Sequence, residues 1–309
     1  MLQVNMTTPD EKSTLAVQLQ VMFMQLERLL RQEYRRNNTS RETETVGPIL
    51  GLLNELGAIS PGEIASWSFL PTPSVSRTVH HLINAEEISL ISHPADKRSR
   101  LLLISPRTRE IIQKHRQQNY AILTGTKEYL REDEKYLIHQ TTEIIVKLLA
   151  LANGQYNYAH MLGSEPVQPF VQHQDLGTLR AFTMHASRYL RKQTFPQSLN
   201  ATQYFILDII KHFEQITPSD LSELEYLQRS SVTQMLIPLT EMGLIEDLGG
   251  STDSRYKYKG LTEAGSKLLT QIKQQQSQKI ASMLHLLSPL EHQILFKGVT
   301  LLNHHTAIK

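Results

Sequence analysis

Leu15, Leu19, Met22, Phe23, Leu26, Leu29 and Leu30 recur at three- and four-residue intervals. That is the period of a helix with one apolar face, and it predicts a long amphipathic first helix. The pattern returns at Leu176, Leu179, Phe182, Ala186, Tyr189 and Leu190. Shorter helices follow each long one. The middle one opens at Ser60-Pro61-Gly62-Glu63 in the first case and at Thr217-Pro218-Ser219-Asp220 in the second. Both stretches put a polar N-cap before a proline at the first helical position. Next come a helix starting near Pro73 or Ser230, a charged hairpin and two closing helices. Leu137, Ile144, Ile145, Leu148 and Leu149 mark the close of the first run, and Leu287, Ile294, Leu295, Leu301 and Leu302 that of the second.

The two runs are in register at an offset of 157 residues, as from Asp96 to Asp253 or Arg98 to Arg255. Ser74-Val75 and Ser231-Val232 obey the same offset, as do Leu82 and Leu239, Ile88 and Ile245, Pro61 and Pro218, and Ile49-Leu50 and Ile206-Leu207. Apolar positions stay in phase without a gap, although few residues are identical. A repeat of this length, with helices followed by a hairpin, predicts a mainly α chain of two tandem winged helix-turn-helix domains with small β-hairpin wings. The expected domains are residues 1–152 and 170–309. Residues 153–169, rich in breakers from Asn153-Gly154 to Glu165-Pro166, read as the linker.

Each helix before a hairpin sorts its residues by face. Val75, Val79, Leu82 and Ile83 are expected inside, which turns Ser76, Arg77 and His80 outward, with Ser74 at the N-terminal end. In the second copy Val232, Leu236 and Leu239 point inward and leave Thr233, Gln234 and Ile237 available, with Ser231 near the helix start. Ile237 has two readings, contact with a thymine methyl group or plain core packing. Arg77 matches the major-groove edge of guanine and Gln234 that of adenine, so the two copies predict non-equivalent half-sites. Pro238 predicts a kink or an early helix end. The hairpins concentrate Asp96, Lys97, Arg98 and Arg100 in one copy and Asp253, Arg255, Lys257 and Lys259 in the other, alternating with strand residues such as Leu101, Leu103 and Tyr258. One reading is an Asp–Arg pair that closes a solvated turn. The other is a finger aimed at a polyanion.

Composition narrows the classes. The 309 residues suit two domains, and a formal net charge of +2 is too small to diagnose nucleic-acid binding, so a basic surface has to be local. The absence of cysteine removes disulfides and thiolate zinc sites and fits a cytoplasmic protein. No signal peptide is expected at Met1–Met6, and no apolar run has the length of a membrane span. His80-His81 and His304-His305 are neighbours whose side chains diverge by about 100° on a helix, a poor pair of metal ligands. Asp133 and Glu134 read as first-turn acids rather than a catalytic pair. With no Gly-rich phosphate loop and no nucleophile arrangement, neither an enzyme nor a cofactor nor a metal is expected.

The stretch from Ser74 to Leu82, followed by Asp96-Lys97-Arg98-Ser99, resembles the MarR family of transcriptional regulators. The second copy adds Met242-Gly243-Leu244-Ile245 and Leu261-Thr262-Glu263-Ala264-Gly265. The likeness covers about residues 12–152 and 170–305 and is similar to a two-domain branch related to the SarA group. In copy one Ala85-Glu86-Glu87-Ile88 departs from it, lacking the glycine. The resemblance implies a repressor that binds double-stranded DNA with its recognition helices in the major groove. Wing arginines would enter the minor groove, whose narrow form concentrates negative potential. The long helices would form a pseudo-dimer bundle within one chain, with reading heads about one DNA turn, ~34 Å, apart on an imperfect palindrome. A monomeric pseudo-dimer needs no partner subunit, although further dimerisation is compatible with it. The resemblance also implies release by a small aromatic or other effector in the cleft between bundle and reading domain. Trp67 and Phe69 lie near such a cleft, with core packing as their expected use. The competing reading is a winged-helix scaffold that binds protein or RNA, with one or both DNA-reading surfaces lost.

Overall fold

The computed structural model describes residues 9–37, 43–70, 72–93, 100–112, 131–152, 176–248 and 258–306. The expected linker and the tips of both hairpins lie outside these residues. The chain runs through helices α1 (Pro9–Asn37), α2 (Thr43–Leu56), α3 (Pro61–Ser68) and α4 (Thr72–Asn84), strands β1 (Ile88–Ser92) and β2 (Arg100–Ile104), a helical segment from residue 106, and helix α5 (Glu132–Ala152). It continues through α6 (Leu176–Thr194), α7 (Ala201–Phe213), α8 (Pro218–Leu224), α9 (Arg229–Glu241), β3 (Ile245–Leu248), β4 (Tyr258–Leu261), α10 (Glu263–Leu284) and α11 (Pro289–Thr306). The fold is mainly helical with small antiparallel hairpins. No described helix is long and apolar enough to cross a membrane.

Local chemistry starts the short helices where the sequence predicts. Ser60 Oγ accepts from the Glu63 N–H at 3.2 Å, and Glu63 Oε2 accepts from the Ser60 N–H at 2.7 Å. Thr217 and Asp220 close the same reciprocal capping box, which satisfies backbone donors that the first helical turn leaves without partners. Each hairpin is then pinned to its helices by a backbone bridge, Ile59 to Leu102 in one case and Ile216 to Lys259 in the other. Hairpin registers agree as well, with Ile88 opposite Ile104 and Ile245 opposite Leu261.

Every one of these features recurs at the 157-residue offset, down to the backbone strain. Positive φ angles fall at Gly57, Phe69 and Glu86, and again at Glu214, Tyr226 and Gly243. After α4, the N–H of Glu86 bonds the carbonyl of Ile83 and that of Glu87 bonds Leu82; after α9, Gly243 and Leu244 bond Thr240 and Leu239 in the same way. This is a left-handed helix stop that favours glycine at its pivot. Glu86 holds the pivot at φ +56° and Gly243 at +66°. The glycine missing from the first copy therefore leaves the turn intact, at a cost of about 1 kcal/mol.

Two compact units emerge. One comprises Met1–Leu29, Ser40–Tyr189 and Ile280–Lys309; the other comprises Leu30–Thr39 and Leu190–Lys279. In the first, α2 to α4 pack with the β1–β2 hairpin, while α5 packs along α11. Trp67 is buried, edge-on to Phe182 with ring centroids 6.3 Å apart, the core use expected of it. At Gly298 of α11 an added Cβ would overlap the Thr141 hydroxyl of α5. Thr141 and Gly298 are themselves 157 residues apart, so equivalent positions of the two runs meet each other. The same helices share an ion pair, Lys147 Nζ to Glu291 Oε1 at 2.6 Å. Burial works to raise the Glu291 carboxyl, yet hydrogen bonds from Lys147 and Ser288 outweigh it and hold the group below its ordinary value. In the second unit α7 supplies the buried Phe205, Ile206, Ile209 and Ile210, and Lys273 of α10 bonds Asp208 of α7 at 2.6 Å.

Candidate nucleic-acid interface

Helix α4 buries Val75, Val79 and Leu82, and the Thr78 hydroxyl meets that of Thr45 on α2 at 2.9 Å. These contacts fix which face looks out. Ser76, Arg77 and His80 are exposed, and Ser74 is half-buried. Ile83 is half-buried rather than fully inside, because it sits at the margin of the apolar stripe. Arg77 lies back along its own helix, with Nε donating to the Pro73 carbonyl at 3.4 Å, a long and weak contact that leaves the guanidinium at the surface.

Helix α9 is built to the same plan. Val232, Leu236 and Leu239 are buried, Thr233 and Gln234 exposed, and Ser231 half-buried. Thr233 Oγ1 donates back to the Arg229 carbonyl at 3.0 Å, which occupies its proton and keeps the oxygen as an acceptor. Gln228 is the N-cap residue but forms no side-chain cap bond. No side-chain cap bond from Gln228 therefore occupies the first N–H groups of α9, the end of a helix that favours an anion. The expected early end at Pro238 does not occur: α9 runs on to Glu241, with Met242 N–H bonding the Pro238 carbonyl at 2.9 Å. Proline so near the helix end withdraws only the N–H that would bond Gln234, and a carbonyl on a solvated face can turn to water.

The wings are described at their bases. Asp96, Lys97 and Arg98 of the first and Asp253, Arg255 and Lys257 of the second lie outside the described residues. Arg100 is exposed and donates from Nη1 to Ser92 Oγ, its cross-strand partner, at 2.9 Å. Lys259 stands opposite Asp247, pairs with it at 2.5 Å, and keeps only 13% of its side chain exposed. Its charge is committed within the hairpin. The buried faces of the ribbons are also now defined: Leu102 and Ile104 face inward, while Leu101 and Leu103 are half-buried on the other side.

One residue extends the surface beyond the sequence expectation, and a second resolves an open reading. Arg229, exposed at the first position of α9, is a cation at the helix start for which copy one has Thr72. Ile237, left open between core and surface by its spacing, is 51% exposed. Its spacing of three from Gln234 was the signal that both share one face.

Each unit taken by itself carries a helix with an exposed ridge followed by a hairpin, and among the described residues no cluster of three or more His, Asp or Glu could hold a metal. Residues 199–256, from the start of α7 through the second wing, match the family model described as MarR family. An uncharacterised HTH-type transcriptional regulator of Mycobacterium leprae is 25% identical over 140 residues, 45% of this chain and 96% of that protein. Among solved structures, a mutant MarR from E. coli is 26% identical with a TM-score of 0.30, covering 33% of this chain and 76% of that one. The same mutant complexed with operator DNA is 26% identical at a TM-score of 0.29, covering 33% and 74%. Over residues 199–256 the chain is thus similar to the MarR family, and over 140 residues to an HTH-type regulator of transcription.

Proposed function

From that premise, a MarR-family winged helix matched at residues 199–256, we propose that the chain is a sequence-specific repressor that binds double-stranded DNA as a single-chain pseudo-dimer. The observation that carries the reading is the meeting of Thr141 with Gly298, equivalent positions of two runs offset by 157 residues. In a two-fold interface only residues on the axis touch their own equivalents. Such a contact inside one chain is what fusion of two half-molecules would leave behind. The repeat units are residues 1–152 and 170–309, joined by 153–169.

Ser74, Ser76, Arg77 and His80 form the reading face of the first half, and Ser231, Thr233 and Gln234 that of the second. Hydroxyls near a helix start let the backbone approach phosphate, while Arg77 and Gln234 discriminate bases. Asp96, Lys97, Arg98 and Arg100, with Asp253, Arg255 and Lys257, serve the wings. Lys259 supports its wing through Asp247. The operator is an imperfect palindrome because the two reading faces differ. Cytoplasmic action and release by a small effector belong to the same proposal, the first motivated by a chain without cysteine.

Titrating a labelled duplex against the full chain at several salt concentrations tests this. Affinity falls steeply with salt, since each neutralised phosphate adds about 0.9 to the log–log slope. Arg98→Ala and Arg255→Ala weaken binding to every sequence. Arg77→Ala relaxes the preference at one position, worth roughly 1–3 kcal/mol. Binding that is absent, or indifferent to salt and to all three changes, refutes the assignment.

A further inference from the structure

Residues at spacings of three and four share one face of a helix. Outward from the buried Val232, Leu236 and Leu239, the ridge of α9 carries Ser230, Gln234, Ile237 and Glu241. The corresponding ridge of α4 carries Pro73, Arg77, His80 and Asn84. Polar groups occupy the centre of one ridge. The other has isoleucine there, half in water.

Scattered exposed apolar residues are ordinary on any surface. Ile237 differs in its place. It stands one turn beyond Gln234, where copy one has His80, and its neighbours on the ridge are all polar. Being β-branched it is also a poor choice for a solvated helix position, so neither helix propensity nor core packing accounts for it. The major-groove edges of the four base pairs offer one apolar group, the C5-methyl of thymine. Three residues of helix advance 4.5 Å by the helical rise, close to one base step of 3.4 Å. A helix that sets Gln234 on an adenine thus sets Ile237 over the neighbouring pair.

We propose that Ile237 reads the C5-methyl group of a pyrimidine in the second half-site, beside an adenine held by Gln234; the inference rests on the DNA-binding reading above. The half-site facing α9 then specifies A·T pairs through a methyl contact, while that facing α4 selects guanine through Arg77. A 5-methylcytosine carries the same methyl at the same edge, so the α9 site accepts it better than cytosine.

The probe is a duplex recovered by selection from a random pool with the full wild-type chain, in which each thymine is replaced in turn by deoxyuridine. That change removes the methyl and nothing else. One thymine of one half-site loses about fourfold in affinity on replacement, the value of one buried methyl group. In Ile237→Ala the thymine and deoxyuridine duplexes bind equally, while the other half-site behaves as in wild type. Because Ile237 is exposed, its truncation leaves the melting temperature in place, which separates loss of reading from loss of fold. Equal wild-type affinity for all thymine and deoxyuridine duplexes overturns the inference and leaves DNA binding standing. A thymine preference that survives in Ile237→Ala overturns it too, since another group then reads the methyl. Failure to recover any duplex overturns the inference together with the proposed function; capture of a protein partner sensitive to Ile237→Ala would then give the exposed isoleucine its alternative use.

Discussion

The two wings solve one packing problem with opposite chemistry. In the first, Leu90 stands opposite Leu102; in the second the same register sets Asp247 opposite Lys259. Leu102 is buried, and the bridge from Ile59 holds it there, as the bridge from Ile216 holds Lys259. The slot asks for a long aliphatic stem. Leucine supplies it outright, and lysine supplies it with a charged tip that the facing carboxylate neutralises. Helices α4 and α9 repeat the lesson, since matched valines and leucines fix two similar scaffolds while Arg77 and His80 of one correspond to Gln234 and Ile237 of the other. The scaffold depends on few positions, and at the rest the two runs differ.

The largest effect comes from exchanging the wing solutions one-sidedly. Leu102→Lys places a cation in the slot with Leu90 opposite, and denaturant unfolding should register a loss of roughly 3–5 kcal/mol. Adding Leu90→Asp recovers part of it. Lys259→Leu, which leaves Asp247 at the surface, changes stability by less than about 1 kcal/mol. Equal losses in both directions would mean that the slots are not alike.

Gly298→Val tests the crossing of α5 and α11. The side chain collides with Thr141 and costs roughly 1–3 kcal/mol, and Thr141→Gly in the same chain relieves it. Additive rather than compensating effects would separate the two positions.

Acid sensitivity distinguishes the units more gently. His185, in the first, is fully buried, and neither ring nitrogen has a hydrogen-bond partner. Burial, with the Arg188 cation beside it, holds its pKa well below the ordinary 6.5. The unfolded chain therefore binds the proton first, and stability is complete above 6.5 and declines as pH falls below it. The decline approaches ~1.4 kcal/mol per pH unit until the buried ring itself protonates. His185→Phe flattens that part of the profile by melting at stepped pH; an unchanged slope would acquit His185.

The smallest effect is a gain. Glu86→Gly gives the first helix stop the residue that the second already has, and stabilises by up to about 1 kcal/mol. A loss would show that the Glu86 side chain contributes more than its backbone angle costs.

The features legible from sequence are the local and periodic ones. Ser60 and Thr217 announce their helices through residues three positions on, and Val75, Leu82, Val232 and Leu239 declare a buried face by spacing alone. The rest depends on contacts between distant segments. That Lys259 belongs to Asp247 follows from hairpin register, which a count of wing charges does not contain. Pro238 looks like a breaker until its distance from the helix end is known. Ile237 has a period that suits either the margin of a core or the outer face, and the packing of α9 decides for the outer face. The meeting of Thr141 with Gly298 has no local signal, since threonine and glycine are both ordinary in a helix until their helices cross.

The central claim, that one chain serves as both halves of a DNA-reading dimer, is tested most directly by the mass of the complex on a duplex selected from a random pool. One chain per duplex is expected, on two unlike half-sites about one helical turn apart. Two chains on a perfect palindrome, each contributing a single reading head, would contradict it.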